Sequence, residues 1–152
     1  MIFFRTDGQA ALNTLFVAAQ ETLHQYRDAV ELVEVSLGQV FANISQQRQE
    51  FIRRLEHAVR ESGDLPTVPD PDKEAGEMLF HHVAALIKTH YAGDIIQQRI
   101  DAEKKLAELL IDTQRTELEA QHATLLDELA LHISATITLL QSLYTHVIAE
   151  QE

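Results

Sequence analysis

The position of the helix-breaking residues is what most constrains the fold of this chain. Only five Gly and three Pro occur in its 152 residues, and all three Pro and two of the Gly lie between Gly63 and Gly76. Because the rest of the chain is almost free of residues that interrupt a helix, long helices are predicted on both sides of this window. No long run alternates β-branched or aromatic residues with polar ones, so a sheet is not expected.

Apolar residues recur every three or four positions in the regions flanking this window, which is the spacing of one face of a helix. The predicted helices cover residues 7–36, 39–62, 74–90, 94–113 and 116–150. A short turn at 36–38 joins the first two, whereas the proline-containing stretch 64–72 is a long connection. With 45% apolar residues, the length suits a single domain over residues 1–152, and the predicted fold class is an all-α four-helix bundle.

The net charge limits the kinds of partner. Twenty-four acidic residues against twelve Lys and Arg give a formal charge of −12, which repels phosphate backbones and anionic lipid, so neither nucleic acid nor a membrane is expected as a partner. The absence of cysteine excludes disulfides and thiolate metal sites. Residues 1–7 have no charged signal-peptide start, and no run approaches the roughly 18 apolar residues that span a bilayer, so a cytoplasmic protein is expected.

A bundle of this kind raises the question of a di-iron site, which takes Glu-x-x-His from two helices and one Glu from each of two others. Two such strings occur, at Glu21–His24 and Glu119–His122. The helical period, however, directs Glu21 and Glu50 towards water, and of the second string only His122 lies near the middle of an apolar face. The strings alone are therefore weak support for a metal site.

Glu103 is the acidic residue that most requires a partner, because it lies in the middle of an apolar face between Ile100 and Leu110. A carboxylate that is buried, charged and alone costs several kcal/mol, so a cation, a donor or its own protonation must offset the burial. Tyr26 also faces inward and is predicted to be a core residue whose hydroxyl reaches the edge of the bundle. The other side chains expected close to Glu103 are Arg48, Arg99, His122 and His132.

Three interpretations of this set are open. In the first, Glu103 pairs with Arg48 or a histidine and specifies the helix register without a cofactor. In the second, Glu103, His132 and His122 bind iron or manganese, although two or three ligands beside an arginine cation form a weak cage. The third is a small-molecule cavity or acid–base chemistry, for which no nucleophile with a positioned base is found. No cofactor is therefore the first expectation, with iron or manganese as the alternative.

A set of residues distributed over about residues 10–146 is typical of one group of helical bundles: Leu12-Asn13-x-Leu15, Tyr26, Phe41, Arg48, Leu55, the exit from Gly63 to Pro66, Glu103 and His132. Through these residues the chain resembles the bacterial ferritin-like bundles of uncharacterised function that occur among stress-associated proteins. The resemblance implies a ferritin-like fold with a crossover helix between the second and third bundle helices, and Glu74–His90 is the segment that fits it. It implies no settled activity.

Two positions depart from what the resemblance implies. Relatives tend to have an inward Glu in helix 1 where this chain has Leu23, and the position one turn before His132 is Leu129 rather than an acid or amide. Both departures remove oxygen ligands. The expected function is therefore a non-catalytic, homodimeric interaction or stress-related module with a depleted di-iron ligand set, and the alternative is a metal protein with ferroxidase- or peroxide-type activity.

Overall fold

The computed structural model describes residues 5–67, 92–118 and 120–151, and this part of the chain contains helices and no strand. Its α-helices are α1 (Asp7–Val30), α2 (Val35–Glu61), α3 (Ala92–Gln114) and α4 (Ala123–Gln151), and a 3-10 turn over Ala120–His122 precedes α4. The predicted all-α bundle is confirmed at this level. The predicted helix Glu74–His90 lies outside the described residues.

Two apolar clusters, one at each end of the bundle, show how the helices run. The lower cluster joins the first halves of α1 and α4 to the second halves of α2 and α3, and includes Leu12, Phe16, Leu55, Val59, Leu106, Leu110, Leu125 and Leu129. The upper cluster joins the opposite halves and includes Tyr26, Ala29, Phe41, Ile44, Ile96, Ile100 and Leu140. α1 and α4 therefore run in one direction and α2 and α3 in the other. The chain leaves α2 at the lower end and enters α3 at the upper end.

Of the four pairs of neighbouring helices in the bundle, two pack closely and two pack less closely. α1 packs extensively against α2, and α3 packs extensively against α4. α1 also packs against α3, whereas α2 and α4 contact each other least of the four neighbouring pairs in the described part of the chain. α2 and α3 consequently face each other across one diagonal of the bundle, as do α1 and α4 across the other.

Side-chain hydrogen bonds close the lower end of the bundle. The Thr6 hydroxyl accepts from the Gln9 backbone N–H at 3.1 Å, and the Gln9 side chain accepts from the Thr6 N–H at 2.9 Å, which is a capping box. The Asn13 side chain donates to the carbonyl of Leu65 at 2.8 Å and accepts from the N–H of Thr67 at 2.9 Å. The start of α1 thus holds the segment that leaves α2.

The turn between α1 and α2 differs from the predicted one. The sequence placed it at 36–38, but α1 ends at Val30 and α2 begins at Val35, so Gly38 lies inside α2. A Cβ atom on Gly38 would lie only 3.0 Å from the carbonyl oxygen of Val30. The glycine therefore permits a close approach of the two helices rather than a change of chain direction.

The start of the last helix was also predicted wrongly. It was expected at Thr116, whereas α4 begins at Ala123. The Thr116 hydroxyl donates to the Thr113 carbonyl at 2.6 Å, and Glu117 accepts a 3.0 Å hydrogen bond from the N–H of Gly8. These bonds hold the α3–α4 connection against the start of α1, so that α4 begins later in the chain than predicted. At the other end of α3, the sequence predicted a start at residue 94, whereas Asp94 lies in the first helical turn.

α4 is more apolar than the sequence reading indicated. The helical segment Ala120–Glu150, 31 residues, is long enough to span a membrane, its most apolar 18-residue window reaches a mean hydropathy of 1.3, and 33% of that window is buried within the chain. Counting consecutive apolar residues had not revealed this, because Ser, Thr and His interrupt the runs without adding charge. Core helices of globular proteins share this length and composition.

Gly63 follows α2 with a φ of +90°, a region that side chains other than glycine rarely occupy. We expect Gly63→Ala to lower the free energy of unfolding by about 1 kcal/mol, because the new Cβ disfavours this φ. Gly63→Asn should lose less, since Asn tolerates positive φ better than Ala does. Urea unfolding of the three proteins measures the difference, and equal losses in the two variants would contradict the strain argument.

Candidate functional site

A layer of polar side chains separates the two apolar clusters at mid-height in the bundle. This polar layer consists of Thr22 and Tyr26 from α1, Arg48 from α2, Arg99 and Glu103 from α3, and His132 from α4. Arg48, Tyr26 and Glu103 have no exposed surface, and Thr22 and Arg99 are buried as well. All four helices therefore supply a residue to one buried polar centre.

The centre of the layer is an ion pair between Arg48 and Glu103. Arg48 Nη2 lies 2.8 Å from both carboxylate oxygens of Glu103. Because α2 and α3 face each other across a diagonal, this contact crosses the middle of the bundle. A charge left unpaired at such a position is strongly destabilising, at about 3–5 kcal/mol for removal of one partner of a buried pair.

Arg48 uses its remaining donors to reach the other two helices. Its Nη1 donates to the Thr22 hydroxyl at 2.7 Å, and its Nε donates to His132 Nε2 at 3.2 Å. The Thr22 hydroxyl donates in turn to the Ala19 carbonyl at 2.7 Å. The planar guanidinium suits this role because its donors point in fixed directions. One side chain thus connects α2 to α1, α3 and α4.

Tyr26 completes the hydrogen bonding of Glu103. Its hydroxyl donates to Glu103 Oε1 at 2.6 Å. Burial, followed by the negative charge of Glu103, raises the pKa of Tyr26 above its usual value, so the hydroxyl keeps its proton and acts as a donor. The prediction that this hydroxyl reaches the edge of the bundle is wrong, since Tyr26 is completely buried and bonds to the central carboxylate.

Arg99 supplies a second cation next to Tyr26. Its Nη1 donates to Gln25 Oε1, and its guanidinium carbon lies 5.7 Å from the centroid of the Tyr26 ring, while that of Arg48 lies 6.0 Å from it. Burial lowers the pKa of Arg99, and Tyr26, Glu103 and Asp28 oppose this shift. The aromatic ring and nearby carboxylates therefore stabilise the buried charge.

His132 lies at the looser side of the bundle, between α2 and α4. Its ring stacks on Phe51 with centroids 4.9 Å apart and planes 21° apart. Burial and the positive charge of Arg48 lower the pKa of His132 from 6.5 to about 4. The imidazole is therefore neutral near pH 7, and because Nε2 accepts from Arg48, its proton is assigned to Nδ1.

His122 is not part of the polar layer. It is buried at the lower end of the bundle, where it lines a pocket of about 180 Å³ together with Gln9, Glu61 and Glu117. Ten residues of chain separate it from His132, which corresponds to roughly 15 Å along a helix. The structure thus brings together Glu103, Arg48, Arg99 and His132 from the predicted cluster, but not His122.

The donors of the polar layer do not fit a di-iron or manganese site. Both oxygens of Glu103 already accept hydrogen bonds, and the lone pair of His132 Nε2 is directed at Arg48. Glu50 is exposed and Glu21 is partly exposed, so neither converges on Glu103. Across residues 5–67, 92–118 and 120–151, no group of three or more His, Asp or Glu residues is placed to hold a metal ion.

Comparison with known proteins adds no family assignment. No protein-family model matches the chain. No curated protein and no solved structure matches it either. The site is therefore interpreted from its own geometry.

Two residues that support the layer were missed in the sequence, namely Thr22 and Gln25. Thr22 lies four positions before Tyr26, so the two share a helix face, and this spacing was a usable signal. Gln25 gave no such signal, because its contact with Arg99 depends on how α1 and α3 pack.

Removing one partner of the ion pair should cost the bundle far more stability than replacing both. We expect Glu103→Leu alone to lower the free energy of unfolding by about 3–5 kcal/mol, because Arg48 is then buried without its partner. The double variant Glu103→Leu with Arg48→Met should recover most of this loss. A double-mutant cycle by urea unfolding measures the coupling, and additive effects would show that the two charges do not depend on each other.

His132 should make the bundle sensitive to acid. Its pKa is lower in the folded chain, about 4, than its ordinary value of 6.5, so between these pH values the unfolded chain binds the extra proton. The resulting stability is complete above about pH 6.5 and is lost as the pH falls towards 4.

We expect His132→Gln, which keeps an acceptor for Arg48 but does not titrate, to reduce the change in urea midpoint between pH 7 and pH 5. The matched control is His146→Gln at a site whose side chain is 71% exposed, and it should retain the wild-type pH dependence. An unchanged pH dependence in His132→Gln would assign the acid sensitivity to other groups.

Proposed function

We propose that this chain is a non-catalytic, ferritin-like helical bundle that serves as a structural or interaction module, with an arginine cation where a metalloprotein of this plan would hold its ions. The observation that carries this proposal is the bonding of Arg48, whose guanidinium donates to Glu103, Thr22 and His132. These bonds occupy the oxygen and nitrogen lone pairs that a metal would need.

The order of helix directions supports the ferritin-like part of the proposal. α1 and α2 are antiparallel, as are α3 and α4, while α2 and α3 run parallel on opposite corners of the bundle. A parallel pair of successive bundle helices requires the chain to return along the length of the bundle between them. This arrangement is the one that a long crossover connection produces.

The hydrocarbon side chains near the polar layer support the non-catalytic part. Leu23 and Leu129, the two positions where oxygen ligands are lost relative to the resemblance, are both buried in the lower cluster. A metal centre built on Glu103 and His132 would therefore have to recruit oxygen ligands from elsewhere and displace Arg48. Cytoplasmic location, a stress-related role and self-association remain parts of the same proposal.

The rival function is a carboxylate and imidazole metal protein with ferroxidase- or peroxide-type activity, and metal binding discriminates the two. We expect the purified chain, incubated anaerobically with ferrous iron or with manganese and then desalted, to retain neither ion in stoichiometric amount, since Arg48 occupies the shared donors. Elemental analysis measures the retained metal, and an oxygen electrode measures uptake after ferrous iron is added.

The control is Glu103→Gln, which removes the negative charge while keeping the shape of the side chain. Equal, low metal contents in wild type and this variant support the proposal. Stoichiometric iron or manganese that disappears in Glu103→Gln, or rapid oxygen uptake that depends on Glu103, would establish the metal protein instead.

A further inference from the structure

The lower end of the bundle contains a small pocket where three parts of the chain meet. The start of α1, the end of α2 and the connection between α3 and α4 all contribute side chains to it. Its volume of about 180 Å³ is below the roughly 300–1,000 Å³ of pockets that hold drug-sized ligands. We call this space the lower-end pocket, and its lining includes Gln9, Glu61, Glu117, Leu118 and His122.

The imidazole of His122 distinguishes this pocket from an ordinary surface depression. His122 is only 3% exposed, yet within residues 5–67, 92–118 and 120–151 neither of its ring nitrogens has a hydrogen-bond partner. Buried polar side chains usually have such a partner, because an unpaired one has lost its hydrogen bonds to water without replacement. A ligand in the lower-end pocket would supply the missing bond.

The ring nitrogens of His122 are accessible from the pocket. The one unpaired side-chain N or O atom that lacks accessible surface, in the part of the chain that the structure describes, is Gln20 Oε1. The nitrogens of His122 therefore keep some accessible surface, and His122 lines the lower-end pocket. Because a neutral imidazole presents one donor and one acceptor, it can accept a hydrogen bond from a ligand N–H.

The charge of the lower-end pocket selects for cations. Two carboxylates, those of Glu61 and Glu117, line it, whereas no Lys or Arg of the described ranges does. Hydrogen bonds from its own backbone N–H, from the N–H of Gly8 and from the Thr6 hydroxyl lower the pKa of Glu117, so this carboxylate is ionised near pH 7. Ser62 adds the end of α2, where the helix dipole is negative.

Neither an anion nor a single metal ion fits this pocket as well as an organic cation does. The N–H of Gly8 at the start of α1 already donates to Glu117, so it is not available to an anion. Glu61, Glu117 and His122 are not grouped closely enough to hold one metal ion, since the described ranges contain no such group. A ligand that reaches all three side chains must therefore be longer than an ion.

We propose that the lower-end pocket binds a small aliphatic diamine in its diammonium form. One ammonium group pairs with each carboxylate, one of the two donates an N–H to His122, and the methylene chain contacts Leu118. The inference goes beyond the proposed function, which assigns no ligand to the chain. Because no residue of the polar layer lines the pocket, its test is also independent of the metal analysis.

NMR titration of the isotope-labelled full chain with putrescine tests the proposal. At pH 7 and about 0.15 M salt, which screens attraction to the rest of the acidic surface, we expect saturable binding with a dissociation constant of about 0.1–1 mM. Butylamine, which has one charge, should bind about fivefold more weakly or worse, and the uncharged butanediol of the same length should not bind. Butylamine that binds as tightly as putrescine, or putrescine that does not saturate by about 10 mM, would overturn the proposal.

The variants Glu61→Gln and Glu150→Gln are matched. Each removes a carboxylate that is bonded to a histidine four positions earlier, at 2.8 Å from His57 and at 3.0 Å from His146 respectively. Of the two carboxylates, only Glu61 lines the lower-end pocket. We expect Glu61→Gln to weaken putrescine binding about fivefold and Glu150→Gln less than about twofold. Equal effects would assign the binding to diffuse attraction by the net charge.

The variant His122→Leu tests the imidazole itself. A leucine fills the position without unpaired nitrogens, so the urea midpoint in the absence of ligand should not fall. Putrescine binding should weaken about fivefold, and putrescine should raise the urea midpoint of the variant less than that of wild type. Wild-type affinity in His122→Leu would overturn the proposal.

The NMR signals of the His122 ring nitrogens give the same answer without a substitution. In the wild-type chain they should shift as putrescine is added and reach a plateau with the rest of the titration, because one nitrogen gains a hydrogen bond. Signals of His122 that stay constant while other residues saturate would contradict the proposed site.

Discussion

The ion pair between Arg48 and Glu103 is the interaction on which the arrangement of the bundle depends. It joins the two diagonal helices that do not pack side by side, and its cation also bonds to α1 and α4. Moving any one helix by a turn relative to the others would remove a bond from a completely buried charge. The polar layer therefore specifies the register that leucine and isoleucine contacts alone would specify only weakly.

The same bonding determines what chemistry is open to the centre. The Glu103 carboxylate accepts hydrogen bonds from Tyr26 and Arg48, and the lone pair of the His132 imidazole accepts one from Arg48. Each of these acceptors therefore already has a hydrogen-bond partner. Such a set resists both proton transfer and metal coordination, because either process must first displace Arg48. An interior of this kind is suited to holding four helices in place.

The sequence indicated the bundle and much of the centre, and the reasons are local. The 3.6-residue period placed Glu103 on an apolar face, and burial of a lone carboxylate required a cation, which Arg48 supplies. The position of His122 was misjudged because the period gives the face of a helix but not the height at which that face meets the others. The hydrogen bond from Tyr26 to Glu103 was not predicted for a related reason, since the direction of the Tyr26 hydroxyl depends on which residues of α3 lie opposite it.

The helix ends were less predictable than the faces. Gly38 was read as a turn because glycine commonly ends a helix, whereas its function here is to let α2 approach the carbonyl of Val30. The delayed start of α4 arises from Glu117 bonding to Gly8, a contact between residues far apart in the chain that no local pattern reveals. Both errors concern tertiary contacts that override local preference.

The division of the core into an upper and a lower apolar cluster has a consequence for how the molecule opens. Fraying that starts at either end meets a plane of buried charges, and passing that plane requires the solvation of several ionic groups at once. Local openings should therefore stop at mid-height, so that amide protons above and below exchange with solvent as two separate cooperative units. We therefore expect the two halves of the bundle to open independently of each other, although they belong to one folded body.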